Sequence, residues 1–422
     1  INVMRRILQA SGVEVIHLGH NRSVDEIVTA ALQEDAHAIA VSSYQGGHVE
    51  YFKYMIDLLK ARGGGHIKVF AGGGGVIVAE EIEALIGHGV TAIYSPEDGR
   101  RLGLQGIINH MIESADTDLS THLPDGLGEL QKGNWLDLAR ILSGIENGAL
   151  KKALQKDLHT LAKKHAEIPV LGITGTGGAG KSSLVDEVVR RFRMDHEDLA
   201  IAILAIDPSK RKTGGALLGD RIRMNAITDG GVYMRSLATR MSGAEITVGL
   251  DDVIAACKVA GFDLVIVETS GIGQGNAAII DHSDVSLYVM TPEFGAASQL
   301  EKIDMLDLAD VVAINKFDRK GAMDALRDVR KQVQRTRQAF TQAAADMPVY
   351  GTIASKFNDE GVTALYEGLL EIFNARKLGT WATHFPKMME KTTKPRAVIV
   401  PPARQHYLSE IVESVRNYLA QV

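Results

Sequence analysis

The segment that most constrains the fold of this chain is a glycine-rich stretch between an apolar run and a helical pattern. It reads ITGTGGAGKSSL over 173–184, and residues 175–182 match G-x-x-x-x-G-K-[ST]. Glycines let backbone N–H groups turn inward around phosphate oxygens, and a helix that begins near the lysine adds its positive end. The segment therefore predicts a phosphate-binding loop that joins a strand to a helix.

Each residue type in this loop has an expected role. Lys181 reaches the β- and γ-phosphates, and the hydroxyl of Ser182 ligates Mg²⁺. Lys181 is therefore a candidate catalytic residue, and Ser182 is both a nucleotide-binding and a metal-binding candidate. The other residues expected to surround the nucleotide phosphates are Gly175, Gly178, Ala179, Gly180 and Ser183.

A second motif selects the base. The run AINKFD places Asn315, Lys316 and Asp318 directly after a strand-like segment. An aspartate at this position accepts both N1–H and the exocyclic N–H of guanine, whereas adenine offers no such pair of donors. The later run TIASKF contributes Ser355 and Lys356 as candidates for a loop that closes over guanine. The sequence predicts a GTP site.

Further oxygens are needed to hold Mg²⁺. Asp207 and Glu268 end strand-like runs, where side chains of a parallel sheet face the ligand crevice, and Asp220 lies in GGALLGDRIRM. We predict these three carboxylates as metal ligands, and Glu268 also as a catalytic residue. Arg223 is a candidate for neutralising phosphate charge, and Gln274 for orienting the attacking water.

Length and composition restrict the class of protein. A chain of 422 residues with 45% hydrophobic residues predicts two or three globular domains. A net charge of −6 gives no basic footprint for nucleic acid or membrane surfaces. The single cysteine, Cys257, excludes an internal disulfide and favours a reducing compartment, so we expect a cytoplasmic protein. No apolar run approaches the ~18 residues that span a bilayer.

The order of strand-like and helical runs predicts two α/β units. Residues 13–113 alternate strand and helix, which indicates a parallel doubly wound sheet, and residues 168–375 contain six further strand-like runs. The chain opens at Ile1 inside a helical pattern, so we expect a piece of a longer protein that lacks the first strand of its first domain. The predicted divisions are a first domain, a helical connector, a G-protein domain and a linker, at 1–115, 116–165, 166–376 and 377–422.

Five motifs together resemble one family. GTGGAGKSS, AIDPS, GGALLGDRIRM, VETSGIGQ and INKFD are similar to the G-protein chaperones of cobalamin-dependent acyl-CoA mutases. The LLGDRIRM block is specific to that group, and the match covers residues 168–375. The resemblance implies a P-loop GTPase that hydrolyses GTP with Mg²⁺ and gates cofactor loading.

The first domain resembles the cobalamin-binding domain of such mutases. VSSYQGGH and GGGGVI match the S-x-L and G-G elements beside which the corrin's nucleotide tail enters the sheet, although Tyr44 departs from the usual leucine. The resemblance implies a flavodoxin-like cobalamin domain, with Ser42, Tyr44, Gly73 and Gly74 at the cofactor. A plain flavodoxin-like domain with glycine loops is the alternative. The D-x-H-x-x-G motif, which carries the histidine that ligates cobalt, is absent from this chain.

A cobalamin domain joined to a G protein in one chain is similar to the fused isobutyryl-CoA mutases. The resemblance implies adenosylcobalamin, interconversion of isobutyryl-CoA and n-butyryl-CoA, and a substrate barrel that follows on the same polypeptide. It also implies an adenosyltransferase that delivers cobalamin, and a homodimer. A barrel needs ~250 residues, and no such stretch is present here.

Two alternatives come from other classes. A stand-alone metallochaperone GTPase would need His/Cys clusters, which the lone Cys257 disfavours. A non-enzymatic cofactor carrier with a regulatory nucleotide site would bind GTP with negligible turnover.

Overall fold

The computed structural model describes most of the chain, and no helix among the residues it describes is long and apolar enough to cross a membrane. The described residues are 2–44, 46–128, 130, 134–228, 230–240, 246–271, 277–295, 300–301, 303–393 and 407–421.

The N-terminal unit alternates helices and strands, as its hydrophobic pattern predicts. The helices are α1 (Asn2–Ala10), α2 (Val24–Gln33), α3 (His48–Ala61), α4 (Ala79–His88) and α5 (Pro96–Ala115). The strands are β1 (Glu14–Ile16), β2 (Ala38–Ser42), β3 (Lys68–Gly72) and β4 (Ala92–Tyr94). The last three strands form a parallel sheet in the order β2-β3-β4. Apolar residues of α2, α3 and these strands form one core.

Local sequence explains where two of these helices begin. The hydroxyl of Ser23 accepts a hydrogen bond from Glu26 N at 3.2 Å, while Glu26 Oε2 accepts from Ser23 N at 2.8 Å, so a capping box starts α2. Ser95 and Asp98 form the same arrangement at α5. Helix α5 is interrupted at Gly103, whose φ of +65° divides it into two helical stretches.

Two helices connect the units, and the break between them lies at residues 147–151. They are α6 (Trp135–Glu146) and α7 (Lys152–Ala162), and short 3₁₀ helices flank the pair at Leu119–His122 and Lys163–His165. The apolar face of α6, with Leu138, Ile141 and Leu142, is fully buried in a core shared with the following sheet.

The second unit contains a seven-stranded parallel sheet in the order β12-β11-β10-β5-β9-β6-β8. The strands of this unit, including β7, which lies outside the seven-stranded sheet, are β5 (Val170–Gly175), β6 (Ile201–Asp207), β7 (Ala216–Leu218), β8 (Val232–Ala238), β9 (Leu264–Thr269), β10 (Val285–Met290), β11 (Val311–Asn315) and β12 (Val349–Thr352). Its helices are α8 (Lys181–Asp195), α9 (Leu250–Val259), α10 (Met305–Leu308), α11 (Ala322–Thr336) and α12 (Glu360–Ala375), and α13 (Tyr407–Gln421) follows near the end of the chain. Short 3₁₀ helices lie at Asp220–Arg223, Ala226–Thr228, Ala278–His282, Pro292–Phe294 and Ala344–Asp346. Both faces of the sheet are buried by helices, which confirms the predicted α/β class.

Strand β1 is placed differently from its expected position in the first sheet. It pairs in parallel with β7, so that Glu14, Val15 and Ile16 lie opposite Ala216, Leu217 and Leu218. The N–H of His17 extends this pairing by donating to Leu218 O at 3.0 Å. A strand edge needs partners for its backbone N–H and C=O groups, and here the second unit supplies them. The two units are therefore joined by a strand pair as well as by the connector.

Candidate functional site

The glycine-rich loop lies where predicted, between the end of β5 and the start of α8. Gly178 and Gly180 have φ values of +73° and +85°, which disfavour residues with a side chain. Gly180 is the N-cap of α8 and offers no side-chain cap, so the first N–H groups of the helix face the loop. A Cβ on Gly175 would lie 1.9 Å from Val289 O of the neighbouring strand β10. This geometry is that of an anion cradle built from backbone.

The ammonium group of Lys181 lies inside the loop. Its Nζ is 3.5 Å from the carbonyl oxygens of Gly175 and Thr176 and 3.4 Å from that of Ser270. Gly271, which the sequence analysis did not single out, makes room for it. A Cβ on Gly271 would lie 2.4 Å from Lys181 Nζ and 2.1 Å from Gly175 O. The available signal was a glycine two residues after the end of a strand beside the phosphate loop.

Ser182 brings two of the predicted carboxylates together. Its Oγ lies 2.8 Å from Glu268 Oε1 on β9 and 3.0 Å from Asp220 Oδ1. Asp207, the last residue of β6, accepts a hydrogen bond from Gly219 N at 3.3 Å, next to Asp220 in the chain. Since β5, β9 and β6 are adjacent parallel strands, their carboxyl ends meet at the loop.

These carboxylates are electrostatically crowded. Burial, followed by the charge of Asp220, raises the pKa of Glu268 above its ordinary value. Burial and the same neighbour also raise the pKa of Asp207. The charge of Asp220 therefore acts on both carboxyl groups.

The oxygen donors of this site fit a Mg²⁺ ion whose remaining ligands are phosphate and water. Three polar atoms near the loop are buried without a hydrogen-bond partner among the described residues: Glu268 Oε2, Thr176 Oγ1 and Ser270 Oγ. A cluster of buried polar atoms without hydrogen-bond partners is typical of a ligand site. The described residues form no group of three or more His, Cys, Asp or Glu donors that would hold a metal alone. Mg²⁺ usually takes one or two carboxylates and keeps phosphate and water ligands, so the two observations agree.

Asn315 joins three segments of the predicted guanine site. Its Nδ2 donates to Ala179 O of the phosphate loop at 2.8 Å. Its Oδ1 accepts from Thr352 Oγ1 at 3.2 Å and from Ala354 N at 3.0 Å. Because Ala354 precedes Ser355, the TIASKF segment is fixed beside the Asn-Lys-x-Asp motif.

Replacement of Asn315 by alanine is expected to lower the free energy of unfolding by about 2–4 kcal/mol. The change leaves Ala179 O and Ala354 N without their buried partner. Urea unfolding of the variant measures the loss. Asn109→Ala on the exposed face of α5 is the control and should change stability little, because the hydrogen bond of its amide among the described residues is with exposed Gln105. Equal losses in the two variants would contradict the joining role of Asn315.

The remaining predicted nucleotide residues that the structure describes differ in their exposure. Lys316 has a φ of +59° and donates from Nζ to Gly178 O at 2.7 Å, so it covers the loop. Asp318 and Ser355 are exposed at the carboxyl edge of the sheet, after β11 and β12. Arg223 is largely exposed, with its Nη1 3.7 Å from Asp220 Oδ1. Ser183 and Lys356 are half-buried, and Gln274 lies outside the described residues.

A second candidate site lies at the carboxyl edge of the N-terminal sheet. Ser42 ends β2, and a Cβ on Gly73 would lie 2.9 Å from Ser43 O. Gly74 has a φ of +56°, and a Cβ there would lie 2.6 Å from the ring of Tyr44, which is 68% exposed. The predicted cofactor residues therefore form one edge with an open aromatic face.

His48 lies beside this edge. It begins α3, is buried, and has its Nε2 2.9 Å from Glu81 Oε2 of α4. The pair ties together the first turns of the two helices that follow β2 and β3.

A parallel sheet with a phosphate loop, an enclosed lysine and an Asn-Lys-x-Asp segment linked to that loop defines a P-loop GTPase. Comparison with protein families agrees, since residues 138–399 match the family described as Methylmalonyl Co-A mutase-associated GTPase MeaB. The chain belongs to this family of mutase-associated GTPases. Residues 1–97 match the B12 binding domain family, so a cobalamin-binding domain precedes the GTPase.

The chain is also similar to larger bacterial proteins named Fused isobutyryl-CoA mutase. It is 63% identical over 423 residues to the protein of Cupriavidus metallidurans and 58% identical over 422 residues to that of Nocardia farcinica. Each alignment covers 100% of this chain and 39% of the relative. The protein of Geobacillus kaustophilus is 56% identical over 99% of this chain and 39% of its own length. The family resemblance drawn from the motifs is confirmed, and the chain spans well under half the length of these relatives.

Proposed function

We propose that this chain is the GTP-hydrolysing and adenosylcobalamin-carrying segment of a fused acyl-CoA mutase. The observation that carries the GTPase part is the meeting of Ser182, Asp220 and Glu268 beside an enclosed lysine. Bound Mg²⁺ would neutralise phosphate charge and polarise the transferred group. Ser182 would hold it, with Asp207, Asp220 and Glu268 as direct ligands or as acceptors for its waters.

The chain's own residues have distinct roles in this proposal. Lys181 compensates the charge of the β- and γ-phosphates, and Arg223 approaches from the exposed side. Glu268 orients the metal and its water, while Gln274 orients the attacking water. The backbone of Gly175, Gly178, Ala179 and Gly180, with the first turn of α8 at Ser182 and Ser183, holds the phosphates.

Guanine recognition is assigned to the opposite end of the loop. Asp318 accepts from the two donors of guanine, Lys316 covers the loop, and Asn315 holds both segments in register. Ser355 closes over the base from the segment that Asn315 fixes.

Cobalamin is assigned to the carboxyl edge of the N-terminal sheet. Ser42, Tyr44, Gly73 and Gly74 line that edge, which packs too closely for a side chain on Gly73 or Gly74. We propose adenosylcobalamin as the bound form, because the similar bacterial proteins are named as isobutyryl-CoA mutases.

The same comparison supports a proposal for the activity of the whole protein. We infer interconversion of isobutyryl-CoA and n-butyryl-CoA by a substrate barrel on the same polypeptide, gated by GTP hydrolysis here. An adenosyltransferase that supplies cobalamin, a homodimer and a cytoplasmic location complete the proposal. The buried, reduced Cys257 suits that compartment.

Single-turnover hydrolysis of GTP by this chain tests the nucleotide half. Glu268→Gln is expected to lower the rate by about 100-fold, because it removes charge from the metal site. The same change should leave the free energy of unfolding equal or higher, because Glu268 Oε2 is buried without a partner among the described residues. Urea unfolding checks this second expectation.

Four outcomes would contradict parts of the proposal. An unchanged rate would remove Glu268 from the site, and a matched loss of stability would make its role structural. GTP binding without turnover in the wild-type chain would favour the cofactor carrier with a regulatory nucleotide site. A visible-light titration with adenosylcobalamin tests the other half independently, and absence of binding would restrict the function to a GTPase.

A further inference from the structure

A glutamate of the N-terminal unit reaches the edge of the nucleotide site. Glu34 caps the C-terminus of α2 and is only 5% exposed. Its Oε1 accepts from Arg221 Nε at 3.1 Å and from Ser236 Oγ at 2.9 Å, and its Oε2 accepts from Ser236 N at 2.9 Å. The carboxylate therefore bridges the turn at Asp220–Arg223 and the edge strand β8 of the large sheet.

Arg221 is the other half of this bridge. It is 5% exposed, and its Nη2 donates to Gln33 Oε1 at 2.8 Å and to Met234 O at 2.6 Å. A buried guanidinium with a charged partner and two further acceptors holds one orientation, because any other leaves a buried charge unpaired. The turn that carries Arg221 is thereby fixed to α2.

The position of Asp220 depends on the same turn. Asp220 and Arg221 are adjacent in a four-residue 3₁₀ helix, and Asp220 Oδ1 lies 3.0 Å from Ser182 Oγ. The chain just beyond this turn is held from the nucleotide side, where Asp186 of α8 accepts from Asn225 N and Ala226 N, each at 2.7 Å. The segment is therefore anchored to α8 at one point and to the cobalamin-binding domain at another.

We propose that Glu34 is a positioning residue for the nucleotide site, acting through Arg221 to hold Asp220 where Mg²⁺ is bound. The inference rests on the proposed GTPase function and adds a dependence on the cobalamin-binding domain. Because coupling between two sites is reciprocal, binding of Mg²⁺ at the nucleotide site also affects how α2 is held.

The chain offers a matched control in a second buried ion pair. Glu146, at the end of α6, accepts from Arg235 Nη2 at 2.5 Å, and both side chains are almost fully buried. Arg235 lies in the middle of β8, and its hydrogen bonds among the described residues go to Gln33, Ser143 and Glu146 and not to the turn that carries Asp220. Glu146→Gln and Glu34→Gln therefore remove the same charge from equally buried pairs, but only Glu34 acts on a predicted metal ligand.

The test measures equilibrium binding of a fluorescent, non-hydrolysable GTP analogue over a Mg²⁺ titration. Glu34→Gln is expected to raise the half-saturating Mg²⁺ concentration about tenfold, because the variant loses one hydrogen bond to a charged group. Binding of the analogue without Mg²⁺ should stay within about twofold of wild type, since the phosphate loop is untouched. Glu146→Gln should lower the melting temperature by a similar amount and leave the Mg²⁺ titration unchanged.

The route through Arg221 is tested by a double variant. If Glu34 acts through Arg221, Glu34→Gln adds nothing to the Mg²⁺ requirement of Arg221→Met. A through-space effect of the lost charge would persist in the Arg221→Met background and would overturn the route. Ser236→Ala, which removes one hydrogen bond to Glu34 and keeps its charge, should shift the titration in the same direction by a smaller factor.

The outcomes separate this inference from the proposed function. A wild-type chain that shows no Mg²⁺-dependent binding would overturn the GTPase proposal itself. A wild type that needs Mg²⁺, together with a Glu34→Gln variant that titrates like wild type or like Glu146→Gln, would overturn only the role of Glu34. If Glu34→Gln does not fold, an unchanged titration in Ser236→Ala would do the same.

Discussion

Lys181→Ala is expected to reduce single-turnover GTP hydrolysis by at least ~10³-fold, the largest effect of any single change in this chain. The ammonium group is 7% exposed and lies among the carbonyl oxygens of the phosphate loop and the segment after β9. It is the one cation that the described part of the phosphate loop itself contains. Its loss leaves the developing charge on the β–γ bridge without a fixed counter-charge from the loop.

Lys181→Arg separates charge from shape. The arginine keeps the charge, but Gly271 limits the space around Nζ. A Cβ on Gly271 would already lie 2.4 Å from Nζ. We therefore expect the arginine variant to lose hydrolysis as well. Lys156→Ala, on the exposed face of α7, serves as the control for the loss of a positive charge. If Lys181→Ala kept more than a tenth of the wild-type rate, the lysine would not be the phosphate ligand.

Asp318→Asn is expected to weaken GTP binding by about 10²–10³-fold and to strengthen binding of xanthosine triphosphate. In the proposed site the carboxylate would accept two N–H donors of guanine, whereas the asparagine amide offers one donor and one acceptor, which match xanthine. Asp318 lies two residues after Lys316, whose Nζ donates to Gly178 O, so a base bound by Asp318 would lie next to the phosphate loop. Competition of the two nucleotides for the wild-type and variant chains measures the change.

The control for this exchange is Asp324→Asn. Asp324 lies in the first turn of α11 and its carboxylate bonds only with Arg327 among the partners that the structure gives it. The Asp324→Asn change should alter the affinity for GTP and for xanthosine triphosphate by no more than about twofold, because an exposed ion pair contributes little. If Asp318→Asn lowered the affinity for both nucleotides, Asp318 would maintain the shape of the loop and would not select the base.

Part of the fold could be predicted because its signals are local in the chain. The loop at 175–182 is fixed by its own glycines and by the helix that follows, and the strands of the large sheet with continuous apolar runs were found from the sequence. Strand β8 was missed because Arg235 and Ser236 interrupt its apolar run. Both are satisfied by distant groups, Glu146 and Glu34, which no local pattern reveals.

The nucleotide site was partly predictable for a similar reason. Strand-end carboxylates of a parallel sheet converge on one edge, so Asp207 and Glu268 could be proposed from the order of the strands. That Glu268 comes within 2.8 Å of Ser182 Oγ, and that Gly271 must lack a side chain beside Lys181, follow only from the packing of β5 against β9.

The sequence by itself determined the class of each half, because a phosphate loop, a base-selecting motif and alternating hydrophobic runs act over a few residues each. The tertiary structure alone decided how the halves are joined. Strand β1 pairs with β7 instead of joining the sheet β2-β3-β4 that follows it in the chain, and Glu34 pairs with Arg221 from 187 residues away. Such contacts depend on which buried charges and strand edges remain to be satisfied after the local elements have formed, and that is settled only when the two units pack together.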